Sequence, residues 1–181
     1  MRSKRESRAV TRREFMASAA LTSAALAVGC REHPDEFWEF LDHEQARTLA
    51  AICDQIIPAD DFPGASQAGV LTYIDRQLMR HYRRYQESYS RGLREADRIS
   101  VLRCGHPLAE APPQERVAIV AAIERENPQF FDLVLKHTME GYYGSPRHGG
   151  NRDAVSWRML GLSEPPLRGR AQYDLTKGTR S

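Results

Sequence analysis

His137 and Glu140 stand three residues apart in a helix-like stretch, a spacing at which both side chains reach one metal ion, and His148 follows eleven residues after His137. Such a set would serve a metal-binding protein or a hydrolase. A His and a Glu at this spacing are more often a hydrated or capped pair, so the metal reading depends on the fold returning His148 to the helix. His33, His43, His81 and His106 show no ligand spacing.

Other chemistry is thinner. Asp60-Asp61 pairs two carboxylates, but adjacent acids in a turn are usually hydrated. No serine sits in a G-x-S-x-G turn, and no Cys and His pair by position. The chain lacks a G-x-G-x-x-G turn, a phosphate loop, a C-x-x-C-H haem site and an iron–sulfur cysteine run. No flavin, nicotinamide or metal is therefore expected in this chain, and no position is given a catalytic role. Arg76 to Arg94 mixes six arginines with Tyr82, Tyr85 and Tyr89. That composition would suit a phosphate backbone or an acidic surface, and its plainer form is a helix with tyrosines inward and arginines outward.

The elements that must position these residues read as helices. Asp42 with Gln45 forms a capping-box pattern, and Ala46, Leu49, Ile52, Cys53, Ile56 and Ile57 follow at three-and-four spacing until Pro58. A turn-rich loop spans residues 59–65. Val70, Ile74, Leu78, Tyr82, Tyr85, Tyr89, Leu93 and Ala96 then predict one helix of about seven turns, kinked near Gly92. Pro112-Pro113 and Asn127-Pro128 open two more helices. Val117, Val120 and Ile123 are expected on the inner face of the first of these. Phe130, Phe131, Val134, Leu135 and Met139 are expected on that of the second. Sustained period-two alternation is absent, so the expected fold is all-α, a single irregular domain of four to five helices.

Ahead of this domain, Thr-Arg-Arg-Glu-Phe-Met at residues 11–16 runs into the small, Ala-rich apolar stretch Phe15 to Val28. A basic arm carrying Arg12 and Arg13, then Phe15 and an apolar run too short to span a bilayer, is the layout of a twin-arginine export signal. Two exits fit. Ala25-Leu26-Ala27 matches ordinary signal cleavage, whereas Ala27-Val28-Gly29-Cys30 is similar to a lipoprotein box, departing from it at Ala27, with Cys30 as the lipidated residue. The expected organisation is a signal over 1–30, a lead-in over 31–41, a helical domain over 42–162 and a tail over 163–181. Residues 1–30 hold six of the 26 basic and two of the 24 acidic residues, leaving 20 against 22. The basic balance thus belongs to the signal and does not point to nucleic acid. Beyond Cys30, Cys53 and Cys104 form an even pair that one disulfide would satisfy in an oxidising compartment; two thiols acting as small hydrophobes fit equally well.

Residues 137–152 pack four glycines, a proline and two tyrosines behind a helix, with Trp157 soon after. This Gly- and aromatic-rich C-terminal loop has the composition of a contact surface, and equally of an irregular cap over the helices. As an interface it would use Tyr142, Tyr143, His148, Gly149, Gly150, Asn151 and Trp157, with the Asp60 to Ala65 loop as a second contact.

Three blocks taken together carry a resemblance. Ala51-Ile52-Cys53-Asp54-Gln55-Ile56-Ile57-Pro58-Ala59-Asp60 continues through Phe62-Pro63-Gly64-Ala65. Gly69-Val70 and Tyr73-Ile74-Asp75 form the second block. Thr138-Met139-Glu140-Gly141 through Gly149-Gly150-Asn151 and Trp157-x-x-Leu160-Gly161 form the third. With the twin-arginine signal they resemble the gluconate 2-dehydrogenase subunit 3 family over residues 42–162. The resemblance implies a small non-catalytic subunit that pairs with a large FAD-containing flavoprotein of the glucose-methanol-choline type, and in some complexes with a cytochrome c subunit. It also implies that the chain is needed for maturation of the large subunit and for its export through the twin-arginine translocase, to the periplasm or the periplasmic face of the inner membrane. Two rivals stand beside it: an autonomous periplasmic metal-binding protein using His137, Glu140 and His148, and a structural lipoprotein held by Cys30.

Overall fold

Helix-starting and helix-stopping residues divide the chain where the local chemistry demands. The computed structural model describes residues 37–162, and Arg12, Arg13, Phe15 and Cys30 lie outside them. Among the described residues there are six α-helices and no strand. Helix α1 (His43–Ile56) begins with the full capping box: Gln45 N–H donates to Asp42 at 2.8 Å, and Asp42 N–H donates to the Gln45 side chain at 3.3 Å. Helix α2 is Val70–Leu78, and α3 is Gln86–Cys104, stopped by left-handed Gly105. Helix α4 (Pro113–Glu126) starts on a proline. Helix α5 (Pro128–Tyr143) also starts on a proline, behind Asn127, whose side chain accepts from Phe130 N–H. A short α6 (Val155–Met159) closes the described chain.

Helix α1 packs against α3, α4 and α5, while α2 lies along α5 and α4 bridges α3 and α5. Leu49, Ile52, Ile74, Leu78, Ile119 and Val134 are fully buried between them. Each such side chain contributes about 1.5–3 kcal/mol of transfer free energy, which is what holds short helices of modest intrinsic stability in place. No helix among the described residues is long and apolar enough to cross a membrane.

The single helix expected from Val70 to Ala96 is broken, and the break lies at residues 79–85 rather than at Gly92. Arg80 N–H and Tyr82 N–H both turn back to Gln77 O, at 2.9 and 2.8 Å. The Gln86 side chain donates to Leu78 O at 3.0 Å, supplying a partner for a carbonyl at the broken end. The break swings Tyr82 onto α5, a contact that a straight helix would forfeit. Gly92 lies inside α3, where the Phe130 ring abuts it so closely that a Cβ would collide. Its role is close packing.

Three inward assignments also shift. Val117 is 65% exposed, Leu135 36% and Met139 42%. In α4 the buried positions are Ile119, Val120, Ala122 and Ile123; in α5 they are Phe130, Val134, His137, Thr138, Gly141 and Tyr142. Two apolar faces of α5 compete at helical spacing, and the polar residues His137 and Thr138 ride on the one that wins.

Candidate subunit interface

The three blocks that are far apart in sequence meet in space. Tyr142 Oη donates to Pro63 O at 2.8 Å, and Cys53 Sγ shares a hydrogen bond with Thr138 Oγ1 at 3.2 Å. Both contacts tie the third block to the first. Arg152 N–H donates to Ala68 O at 2.8 Å, tying the third block to the start of the second. Gly69 opens α2 at φ 78°, and a Cβ there would stand 2.7 Å from Gly149 O, so the position requires glycine twice over. Asp54 closes the 57–66 loop by accepting from Ser66 N–H and Oγ, each at 2.8 Å; burial raises its pKa, against the pull of those two bonds.

The glycine-rich loop is tied down by buried hydrogen bonds. Asn151 is fully buried: its side chain donates to Gly144 O at 2.8 Å and accepts from Ser156 N–H at 2.9 Å. Asn151, Asp153 and Ala154 all take positive φ, at 45°, 57° and 53°. Such conformations cost of order 1 kcal/mol or more apiece and persist only where surrounding contacts over-determine them. The Asn151 bonds and the Arg152 strap supply that determination.

A polar aromatic cluster lies between α2, the 79–85 turn, α3 and α5. His137 Nδ1 and Tyr89 Oη are 2.9 Å apart, both buried. Tyr82 lies face to face on the imidazole at 3.8 Å, while Tyr89, near-coplanar at 5.9 Å, meets its edge. Tyr82 Oη donates to the Glu140 carboxylate and shares a hydrogen bond with Tyr73 Oη at 2.9 Å. Burial pushes the His137 pKa down to about 4, opposed by the Glu140 charge and helped by Lys136 and Arg84. The imidazole is therefore neutral at pH 7. Burial and the hydrogen bond to Glu140 push the Tyr82 phenol well above its ordinary range.

This commitment of His137 and Glu140 undoes the proposed metal set. Among the described residues no group of three or more His, Cys, Asp or Glu side chains gathers to hold an ion. His148 is exposed on a short turn, Pro146–His148. The cysteines are also separate: Cys53 is a free buried thiol whose pKa burial pushes up to about 12, and Cys104 is a free half-buried thiol 3.7 Å from Ser100 Oγ. The permitted bridge is not made.

The interface residues read from sequence divide in two. Tyr142 is 2% exposed, and Gly150 and Asn151 are buried, so these three hold the loop together and are not open to a partner. Tyr143 is 38% exposed and His148 is exposed, while Gly149 and Trp157 are half-buried. Trp157 donates its indole N–H to Tyr143 O at 2.9 Å, leaving the ring at the surface. In the 60–65 loop, Phe62 is 40% exposed and Ala65 is buried. One residue escaped the sequence reading of roles. Asp75, 2% exposed, accepts from the N–H groups of Glu39, Phe40 and Leu41 at 2.7, 3.0 and 2.9 Å. Its signal was a carboxyl group in phase with Leu71 and Leu78, where a buried polar group must have partners.

The family model for gluconate 2-dehydrogenase subunit 3 matches residues 43–163, about two-thirds of the chain. The chain belongs to the gluconate 2-dehydrogenase subunit 3 family. No curated protein and no solved structure matches it. The subunit 3 match begins at the first residue of α1 and ends just past α6. The convergent blocks are thus the framework of a subunit 3 domain, and its surface is where subunit chemistry must be sought.

Proposed function

We propose that this chain is the non-catalytic small subunit of an exported FAD-dependent dehydrogenase of the glucose-methanol-choline type. Its large partner binds the flavin and oxidises a sugar or sugar acid. The observation that carries the reading is the subunit 3 match over residues 43–163, beside a sequence at Arg12-Arg13 with the layout of a twin-arginine leader.

In this reading the flavoprotein folds around FAD in the cytoplasm, docks on this chain, and crosses the membrane on this chain's signal. A cytochrome c subunit would take the electrons onward. Binding only the folded flavoprotein also stabilises it, by an amount set by concentration over dissociation constant. The interface needs about 1,600 Å² in total. Replacing Arg12 and Arg13 by Lys tests the export step: both proteins should remain in the cytoplasm, and a periplasmic flavoprotein in that variant would contradict shared export.

A further inference from the structure

Leu135, Met139 and Tyr143 recur every fourth residue on α5, and each is more than a third exposed, at 36, 42 and 38%. At about 100° per residue they trace a stripe about 12 Å long on the side away from Val134 and Gly141. Trp157 closes its C-terminal end through the bond to Tyr143 O. Beyond the flank of Lys136 and Glu140 lies Tyr82, and with it the exposed arginines of the 79–85 turn.

That flank is unusually cationic. Residues 76–94 hold six arginines and one acid, Glu87, whereas residues 37–75 hold one arginine and seven acids. Outside that run, Arg47 pairs with Glu110 and Arg98 with Glu95, while the exposed Arg103, Arg125, Arg147 and Arg158 form no ion pair with a carboxylate among the described residues. Arg76, Arg80 and Arg83 have no carboxylate partner among the described residues, and Arg84 lies over the Tyr85 ring at 4.7 Å. Arg76 also borders Gly149, joining the flank to the glycine-rich loop.

We infer that the α5 stripe and its arginine flank are the surface on which the partner subunit docks, and that the partner meets it with an apolar centre bordered by carboxylates. This rests on the reading of the chain as a subunit. Met, Tyr, Trp and Arg are the residue types enriched in interface cores, and clustered arginines steer an acidic partner from a distance. A protein fits better than an anionic lipid surface. Asp132 and the part-exposed Glu140 lie on the same side of α5 as the stripe, where they would repel an anionic bilayer.

The test co-expresses tagged chain with a large FAD-containing dehydrogenase of the glucose-methanol-choline type from the same source and measures the flavin retained on the tag. Met139→Asp and the double variant Arg80→Glu/Arg83→Glu should each lower retention at least tenfold while melting like the wild type. Leu102→Asp, at a 71% exposed apolar position on α3, should retain flavoprotein normally. Wild-type binding should weaken with added salt, and the arginine variant should lose that dependence. Retention by both test variants would overturn the surface while leaving the subunit reading intact. Failure of the wild-type chain to retain flavoprotein would overturn both. Binding of the chain alone to phosphatidylglycerol vesicles, abolished by the arginine change with flavoprotein capture unaltered, would assign the surface to lipid and overturn the proposal.

Discussion

At the scale of single residues, buried polar groups define the chain more sharply than any catalytic candidate. Asp75 gathers three backbone N–H groups of the segment leading into α1, so Asp75→Ala leaves those donors short of an acceptor. A loss of about 2–4 kcal/mol is expected in urea unfolding, with the segment around residues 39–41 exchanging its amides faster. Unchanged stability would refute this role. His137 makes a pH prediction whose sign follows from its environment. The folded imidazole titrates at about 4, below its ordinary value of 6.5, so the unfolded chain binds the extra proton first. Stability is fully present above about pH 6.5 and declines as pH falls towards 4. The wild-type urea midpoint should fall more steeply over that window than that of His137→Asn; parallel curves would show that His137 does not carry the dependence.

At the scale of elements, start and stop signals were legible because they depend on neighbours a few residues away. The Asp42 capping box, the proline starts of α4 and α5 and the Pro58 stop all appear where the sequence places them. What escaped depended on contacts across the fold. The α2–α3 break keeps the apolar phase of a continuous helix, and the contact it permits, Tyr82 stacking on His137, lies 55 residues further along the chain. The outward turn of Leu135 and Met139 was hidden because α5 carries two apolar faces. The loop residues Tyr142, Gly150 and Asn151 were legible as special and misread as exposed. Asn151→Ala should destabilise the domain by about 2–4 kcal/mol, through loss of two buried hydrogen bonds and of a side chain that tolerates positive φ. Calorimetry checks this, and a melt matching the wild type would contradict it. His148→Ala, at an exposed position, should leave the melt unchanged.

At the scale of the molecule, the division of labour is between a framework and a surface. The convergent blocks spend their distinctive residues on holding α5, the glycine-rich loop and the start of α2 together, which explains why they mark a family and yet name no reacting group. The sequence is polarised in charge, acidic over residues 37–75 and cationic from Arg76 to Arg94. That polarity suits docking with a defined orientation. On the proposed function, the helical domain would hold the folded flavoprotein and the leader would move it. The most direct measurement follows FAD-dependent dye reduction in the periplasm of cells expressing the flavoprotein with and without this chain. The account predicts activity only when the chain is present, with the flavoprotein otherwise confined to the cytoplasm. Equal periplasmic activity in its absence would contradict the account.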